Sequence, residues 1–115
     1  MASVQSYYSH TPKFFGGMNT YYISYETLES CHALVASKKN IHKKAVLRNR
    51  AKRRVRAAII WIKQNTDLVF PLVFIMVLRN QTLHCSWDML CNEIIKILKL
   101  SYEKLHNKNS LTKVH

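Results

Sequence analysis

The segment from Lys38 to Arg56 combines the densest positive charge of the chain with a helical pattern of apolar side chains. It contains ten Lys and Arg residues and no acidic residue. Apolar residues recur at helical spacing within it and just beyond it: Leu47, Ala51, Val55, Ala58 and Ile62. At about 100° per residue these side chains share one side of a helix, which we predict over residues 45–63. An apolar side of this kind packs on a core, so the charge belongs to an ordered surface rather than to a disordered tail.

The placement of the charge predicts a polyanionic partner. The net charge is +12, from 18 Lys and Arg against 6 Asp and Glu, and the ten cations of this segment account for all but +2 of it. Like charges four residues apart oppose helix formation, and no acidic residue lies between Glu29 and Asp67 to offset them. Nucleic acid is the leading partner for such a patch. A basic solvent face or a nuclear-localisation patch is the alternative.

The rest of the pattern predicts one small α+β domain. A chain of 115 residues with 48% hydrophobic residues has room for one modest core. We predict strands over 20–30 and 31–39, a strand buried on both faces over 69–80 with Pro71 at its entrance, and a final helix from Trp87 to about Leu105. Residues 1–20 are predicted to be irregular, residues 21–106 to form the domain, and residues 107–115 to be a polar tail.

Several other classes of protein are disfavoured. The longest apolar run, residues 68–78, is too short to span a bilayer, and the N-terminus lacks the pattern of a secretory signal or a presequence. Three cysteines indicate free thiols in a soluble, intracellular protein, and a zinc site from His84, Cys85 and Cys91 lacks a second ligand pair of standard spacing. Neither paired carboxylates nor a Ser/His/Asp arrangement is present, so we predict no catalytic residue and no metal ligand in the chain.

Three short motifs together resemble the signature of the bacterial ribonuclease P protein component. They are "SKK" (37–39), "KAV" (44–46) and "RNRAKRRVR" (48–56). The matched positions keep one register: Lys44, Ala45, Val46, Arg48, Asn49, Arg50, Lys52, Arg53 and Arg56. The chain departs from the family pattern in the four residues between Lys39 and Lys44, in Ala57, where an acidic residue is common, and in lacking a recognisable N-terminal helix.

The resemblance implies both a fold and a role. The fold would be a small single-domain α/β sandwich, similar to domain 2 of ribosomal protein S5. It would have a central four-stranded sheet, the basic helix joining two parallel strands, and a C-terminal helix. The role would be that of the protein component of an endoribonuclease whose RNA subunit, using Mg²⁺, removes the 5′ leader from precursor tRNA. The protein would have no activity alone and would reside in the bacterial cytoplasm, or alternatively in an organellar matrix.

The resemblance also implies the contacts. Ribonuclease P RNA would be bound by one set of side chains: Lys38, Lys39, Lys43, Lys44, Arg48, Asn49, Arg50, Lys52, Arg53 and Arg56. Precursor tRNA would lay its leader on the sheet, where Tyr21, Ile23 and Tyr25 share one strand face suited to stacking on single-stranded RNA. Ordinary core packing is the other interpretation of these three residues. The alternative function is a structural RNA-binding protein of a ribosome or organellar ribonucleoprotein.

Overall fold

A four-stranded sheet and two long helices make up most of the structure. The computed structural model describes residues 5–27 and 29–114, with side chains for 6–27 and 29–106. In chain order the elements are α1 (Gln5–Tyr8), β1 (Lys13–Phe15), β2 (Thr20–Ser24), β3 (Cys31–Val35), α2 (Ala45–Asn65), β4 (Val73–Val77), α3 (Gln81–His84) and α4 (Trp87–Val114). Within the described ranges, no helix is both long and apolar enough to cross a membrane.

The sheet has the strand order β1-β2-β4-β3, with β1 and β3 at its edges. Strands β1 and β2 pair antiparallel, β2 and β4 pair antiparallel, and β3 and β4 pair parallel. Strand β4 is central because its sequence, VFIMV, is apolar on both faces, and four of its five residues are buried. The basic helix α2 connects the parallel strands β3 and β4, as the family resemblance implied.

Both long helices pack on one face of the sheet and enclose the core. Helix α2 buries the predicted stripe, Ala51, Val55, Ala58 and Ile62, whereas Leu47 at its start is only half-buried. Helix α4 buries its own apolar side: Leu90, Cys91, Ile94, Ile97 and Leu98. Tyr21, Ile23, Phe74 and Met76 supply the sheet side of this core. The predicted small α+β domain with a four-stranded sheet is therefore confirmed.

The N-terminal segment is more ordered than the sequence predicted. The expectation of an irregular stretch through residue 20 is wrong for Lys13–Phe15, which pairs with β2 over three residues. The hairpin that joins β1 and β2 is closed by the Gly16 amide, which donates to the Asn19 carbonyl at 3.0 Å. Gly17 adopts a φ of 106°, which a side chain would strain. Helix α1, four residues long, precedes the hairpin.

The other boundaries differ at the ends of elements. Strand β3 ends at Val35 rather than near residue 39, because residues 37–41 form a turn in which the Ile41 amide donates to the Ser37 carbonyl at 3.0 Å. Between β4 and the final helix lies the short helix α3, which was not among the predicted elements. The backbone of α4 continues to Val114, so residues 107–114 extend the final helix instead of forming a separate tail.

A buried carboxylate fastens the β1–β2 hairpin to α4. Glu93 is 6% exposed, and its Oε2 accepts hydrogen bonds from the Tyr21 hydroxyl at 2.6 Å and from Asn19 Nδ2 at 3.1 Å. Its Oε1 accepts from the Met18 amide at 2.7 Å. A Cβ at Gly16 would lie 2.6 Å from Glu93 Cδ, so only glycine permits this close approach. Burial, and next the negative charge of Glu93, raise the pKa of Tyr21 far above its ordinary value, which keeps the hydroxyl protonated.

Candidate nucleic-acid interface

The turn before α2 presents lysines on a rigid backbone. The Asn40 amide donates to Ser37 Oγ at 3.0 Å, and Ile41 is buried in the core with 6% exposure. These two contacts fix the turn, while Lys38 and Lys39 point into solvent. The predicted lysines of the turn are therefore displayed on an anchored loop, although it is longer than the family's usual turn.

The N-terminus of α2 has no acidic or side-chain cap. Lys44 occupies the N-cap position with φ −75° and ψ 124°, its side chain makes no capping hydrogen bond, and the first turn contains no acidic residue. The exposed amides and the helix dipole make such an end positively polarised. Lysines at this position add to that potential instead of neutralising it. This arrangement destabilises the isolated helix and favours a bound anion.

Arg48 joins the basic helix to the turn before it. Its Nη1 donates to the His42 carbonyl at 3.0 Å and to the Lys43 carbonyl at 2.7 Å. In addition, the Lys44 amide donates to His42 Nδ1 at 3.1 Å. The Nη1 end of the guanidinium thus fixes the backbone of residues 42–43 relative to α2. Arg48, placed among the RNA contacts by sequence, is half-buried and also has a structural task.

The ten predicted RNA-contact residues lie on one continuous segment, and most are exposed. Four lie in the segment 38–44 before α2, and six lie on α2. Arg48 and Lys52 are half-buried. The other eight are exposed: Lys38, Lys39, Lys43, Lys44, Asn49, Arg50, Arg53 and Arg56. Arg48, Lys52 and Arg56 follow each other at one-turn intervals, about 6 Å apart along the axis. The first half of α2 therefore displays a dense cationic face away from the core.

Arg54 lies within the same basic run but faces inward. Its Nη1 donates to the Thr82 carbonyl, and its Nη2 donates to the Cys85 carbonyl at 2.7 Å. Its Nη1 also lies 3.9 Å from Cys85 Sγ. The guanidinium thus binds the end of α3 to α2. Arg54 was not among the predicted RNA contacts, and both of its Nη atoms donate to backbone carbonyls within the protein.

The prediction that Tyr21 and Ile23 contact the leader is wrong, because both side chains lie on the covered face of the sheet. Tyr21 and Ile23 are 0% exposed and pack beneath the helices, so neither can stack on a nucleotide. Tyr25 is half-buried, and its hydroxyl lies 3.1 Å from Ser101 Oγ and donates to the Leu98 carbonyl at 3.3 Å. The alternation correctly placed the three residues on one face, but that face is the core face. The core-packing interpretation is the one that the structure supports.

The opposite face of the sheet carries aromatic rings that are exposed or half-buried. Lys13 pairs directly with Tyr22, and Phe15 pairs with Thr20, so these four side chains share that face. Phe15 is 66% exposed. The Tyr8 ring from α1 stacks on the Tyr22 ring with centroids 4.4 Å apart. This surface combines aromatic rings with a lysine, as single-stranded RNA requires.

The histidine, cysteine and acidic side chains are those that a metal site would require. No group of three or more His, Cys, Asp or Glu residues is placed to hold a metal ion in the part of the chain that the structure describes. The three cysteines are free, and burial raises the pKa of the Cys31 and Cys91 thiols. Raised thiol pKa values disfavour the thiolate that metal binding or nucleophilic attack requires.

The sheet, the two packed helices and the uncapped basic helix α2 are those of a small α/β sandwich protein with a cationic face suited to a nucleic acid. A family model described as Ribonuclease P matches residues 5–101. The chain belongs to this family, and its function is that of the protein subunit of the endoribonuclease ribonuclease P rather than that of a ribosomal protein. A comparison with curated protein sequences found no match.

Two solved structures share the fold. The Staphylococcus aureus ribonuclease P protein is 20% identical, with a TM-score of 0.63 over 88% of this chain and 93% of that one. A mutant of the Staphylococcus aureus protein, described as defective in mRNA degradation activity, is 21% identical, with a TM-score of 0.63 over 85% of this chain and 80% of that one. At this identity the likeness establishes the shared architecture.

Proposed function

We propose that the cationic face of α2 and its preceding turn bind ribonuclease P RNA, and that the protein thereby assists cleavage of precursor tRNA. The observation that carries this proposal is the uncapped start of α2, where no acidic side chain in the first turn offsets the surrounding lysines and arginines. Phosphates of a folded RNA supply the missing negative charge. The cleavage chemistry and its Mg²⁺ then belong to the RNA subunit, acting in the cytoplasm of a bacterium.

The individual side chains divide the work of binding. The exposed Arg50 and Arg53 are available for bidentate contacts with phosphate oxygens, which contribute about 1.5–3 kcal/mol each as charge-assisted hydrogen bonds. A long-range field is added by the lysines of the segment before α2: Lys38, Lys39, Lys43 and Lys44. Arg48 positions that turn through its carbonyl contacts.

The leader of precursor tRNA is proposed to follow the open face of the sheet. Phe15, Tyr22 and Lys13 provide the stacking surface and the charge that the buried Tyr21 and Ile23 cannot provide. Tyr8 lies on Tyr22, so its own ring extends the platform. Aromatic stacking of this kind is tolerant of base identity, as binding to varied leaders demands.

A pair of double variants tests the cationic face. Replacing Arg50 and Arg53 with Ala removes two exposed charges from α2, and replacing Lys96 and Lys99 with Ala removes two exposed charges from α4. The long-range field falls equally in both. We expect the arginine variant to lose at least tenfold in affinity for ribonuclease P RNA and in cleavage at limiting Mg²⁺, and the lysine variant to stay close to wild type. Equal losses in the two variants would contradict the proposal.

A further inference from the structure

A groove separates strand β3 from the second half of α2, on the helix side of the sheet. Its volume is about 300 Å³, and its lining includes His32, Arg56, Ile60, Lys63 and Phe70. Ile60 is 55% exposed, whereas Ile62 on the same helix is fully buried. None of the described residues that line the groove is acidic. The groove therefore combines an apolar wall with two positive charges.

An aromatic ring forms a fixed wall of this groove. Phe70 packs against the buried Phe74 with ring centroids 5.1 Å apart, and His32 meets its edge at 6.0 Å. The His32 ring is itself held, because its Nε2 lies 2.9 Å from the Pro71 carbonyl oxygen. Lys63 covers the ring, with its Nζ 4.5 Å from the centroid. A cationic side chain thus lies over a pre-positioned aromatic face that it can leave by rotating its flexible stem.

The groove continues the cationic face of α2. Arg56 belongs to the row that starts at Arg48 and Lys52, and it also lines the groove. Lys63 lies two turns further on the same side of the helix, about 10 Å along its axis. An RNA strand that follows the phosphate-binding row is led directly over the groove. Charge complementarity and this continuity both favour RNA over a peptide as the occupant.

We propose that this groove binds one unpaired nucleotide of an RNA strand that runs along α2. Its base would stack on Phe70 and contact Ile60, and its flanking phosphates would be held by Arg56 and by Lys63, displaced from the ring. The inference rests on the proposed function, since it requires that RNA follow α2. It adds a single-strand subsite on the helix side of the sheet, separate from the open face that carries Phe15 and Tyr22.

The proposal is tested with the full chain and two labelled probes, a short single-stranded oligouridylate and a short RNA duplex. We expect Phe70→Leu to weaken binding of the single strand about tenfold, as loss of one stacked base does, and to leave duplex binding unchanged. Tyr102→Leu is the matched control, because Tyr102 is an exposed aromatic residue on α4, 40% exposed, outside the groove. Equal affinities of the two variants for the single strand would overturn the proposal.

Photocrosslinking keeps the test decisive if Phe70→Leu unfolds. A single strand containing 5-iodouridine, irradiated with the wild-type protein, should crosslink to Phe70. Crosslinks confined to Phe15, Tyr22 or Tyr8 would overturn the subsite. Amide hydrogen exchange gives a second test: protection of the amides of edge strand β3 by an extended peptide, and not by RNA, would also overturn it. Failure of the proposed function is separate: wild-type protein would then bind ribonuclease P RNA no better than the Arg50/Arg53 double variant does.

Discussion

Replacing Glu93 with Ala removes the acceptor of three hydrogen bonds at the contact between the β1–β2 hairpin and α4. The Tyr21 hydroxyl and Asn19 Nδ2 would remain buried without that partner, and the Met18 amide would lose its acceptor. A buried donor without a partner costs about 1–3 kcal/mol, so two buried donors and one half-buried donor predict a loss of about 3–5 kcal/mol. Relief from burying a carboxylate offsets part of this loss and sets its upper limit.

This loss is large relative to the stability of a small domain, which is typically about 5–15 kcal/mol. At about 4 °C per kcal/mol it corresponds to a fall in Tm of roughly 12–20 °C. Glu93→Gln keeps one acceptor oxygen, but its amide NH₂ group, which is a donor, replaces the other oxygen and faces a donor of the protein. We therefore expect an intermediate loss of about 1–3 kcal/mol. Urea unfolding followed by circular dichroism measures both, provided that the m-value stays constant.

Glu103→Ala is the control, because it removes the same charge from an exposed position of the same helix. Its effect should stay within about 0.5 kcal/mol. If Glu93→Ala is no more destabilising than Glu103→Ala, then the carboxylate does not hold the hairpin to α4. A large loss in Glu93→Ala together with an equal loss in Glu93→Gln would instead show that the negative charge itself, not the count of acceptors, is what matters.

Three further predictions concern other parts of the molecule. Arg54→Ala should lower the free energy of unfolding by about 2–4 kcal/mol and Arg53→Ala by almost nothing, because of the two only Arg54 donates to partly buried backbone carbonyls; thermal melts that show equal losses would contradict this division. Stability should fall as the pH rises above 10, the ordinary pKa of tyrosine, because the folded chain keeps the Tyr21 proton that the unfolded chain releases. Denaturant titrations should show that Tyr21→Phe flattens this dependence. The protein freed of RNA should not cleave precursor tRNA at any Mg²⁺ concentration, and cleavage by such a preparation would show that the chain has a catalytic centre of its own.

Local sequence pattern predicted those elements whose apolar residues are compatible with only one type of secondary structure. The apolar run of β4 fits a central strand, and the stripe from Ala51 to Ile62 fits one side of a helix, so both elements were predicted at nearly the right places. Strand β1 was missed because three residues carry no readable alternation. Its position depends on long-range contacts, above all the approach of Gly16 to Glu93.

The candidate site shows the same division. A dense run of cations at helical spacing was sufficient to place the cationic face on α2. Alternation grouped Tyr21 with Ile23 but could not tell which face of the sheet the helices cover, and this choice reversed their assignment. Nothing in the sequence distinguishes Arg54 from the neighbouring arginines. It faces inward because the end of α3, which is distant in sequence, presents carbonyl groups to it. The groove beside Phe70 joins residues from β3, α2 and the start of β4, which no local pattern brings together.

The strand order has a consequence for the way the chain acquires its structure. Strand β4 lies between β2 and β3, although it is the last strand to be synthesised. Before β4 is synthesised, no strand connects β2 to β3 in one sheet. Helix α2 has by then been synthesised with its like charges, but the strand that completes the sheet beneath its apolar side is still missing. Non-local pairing of this kind slows folding, because the entropy of closing a long loop is lost before stabilising contacts form. A polyanion present at that stage would screen the repulsion along α2 and bind the folded chain preferentially, so RNA should act as a folding partner as well as a binding partner.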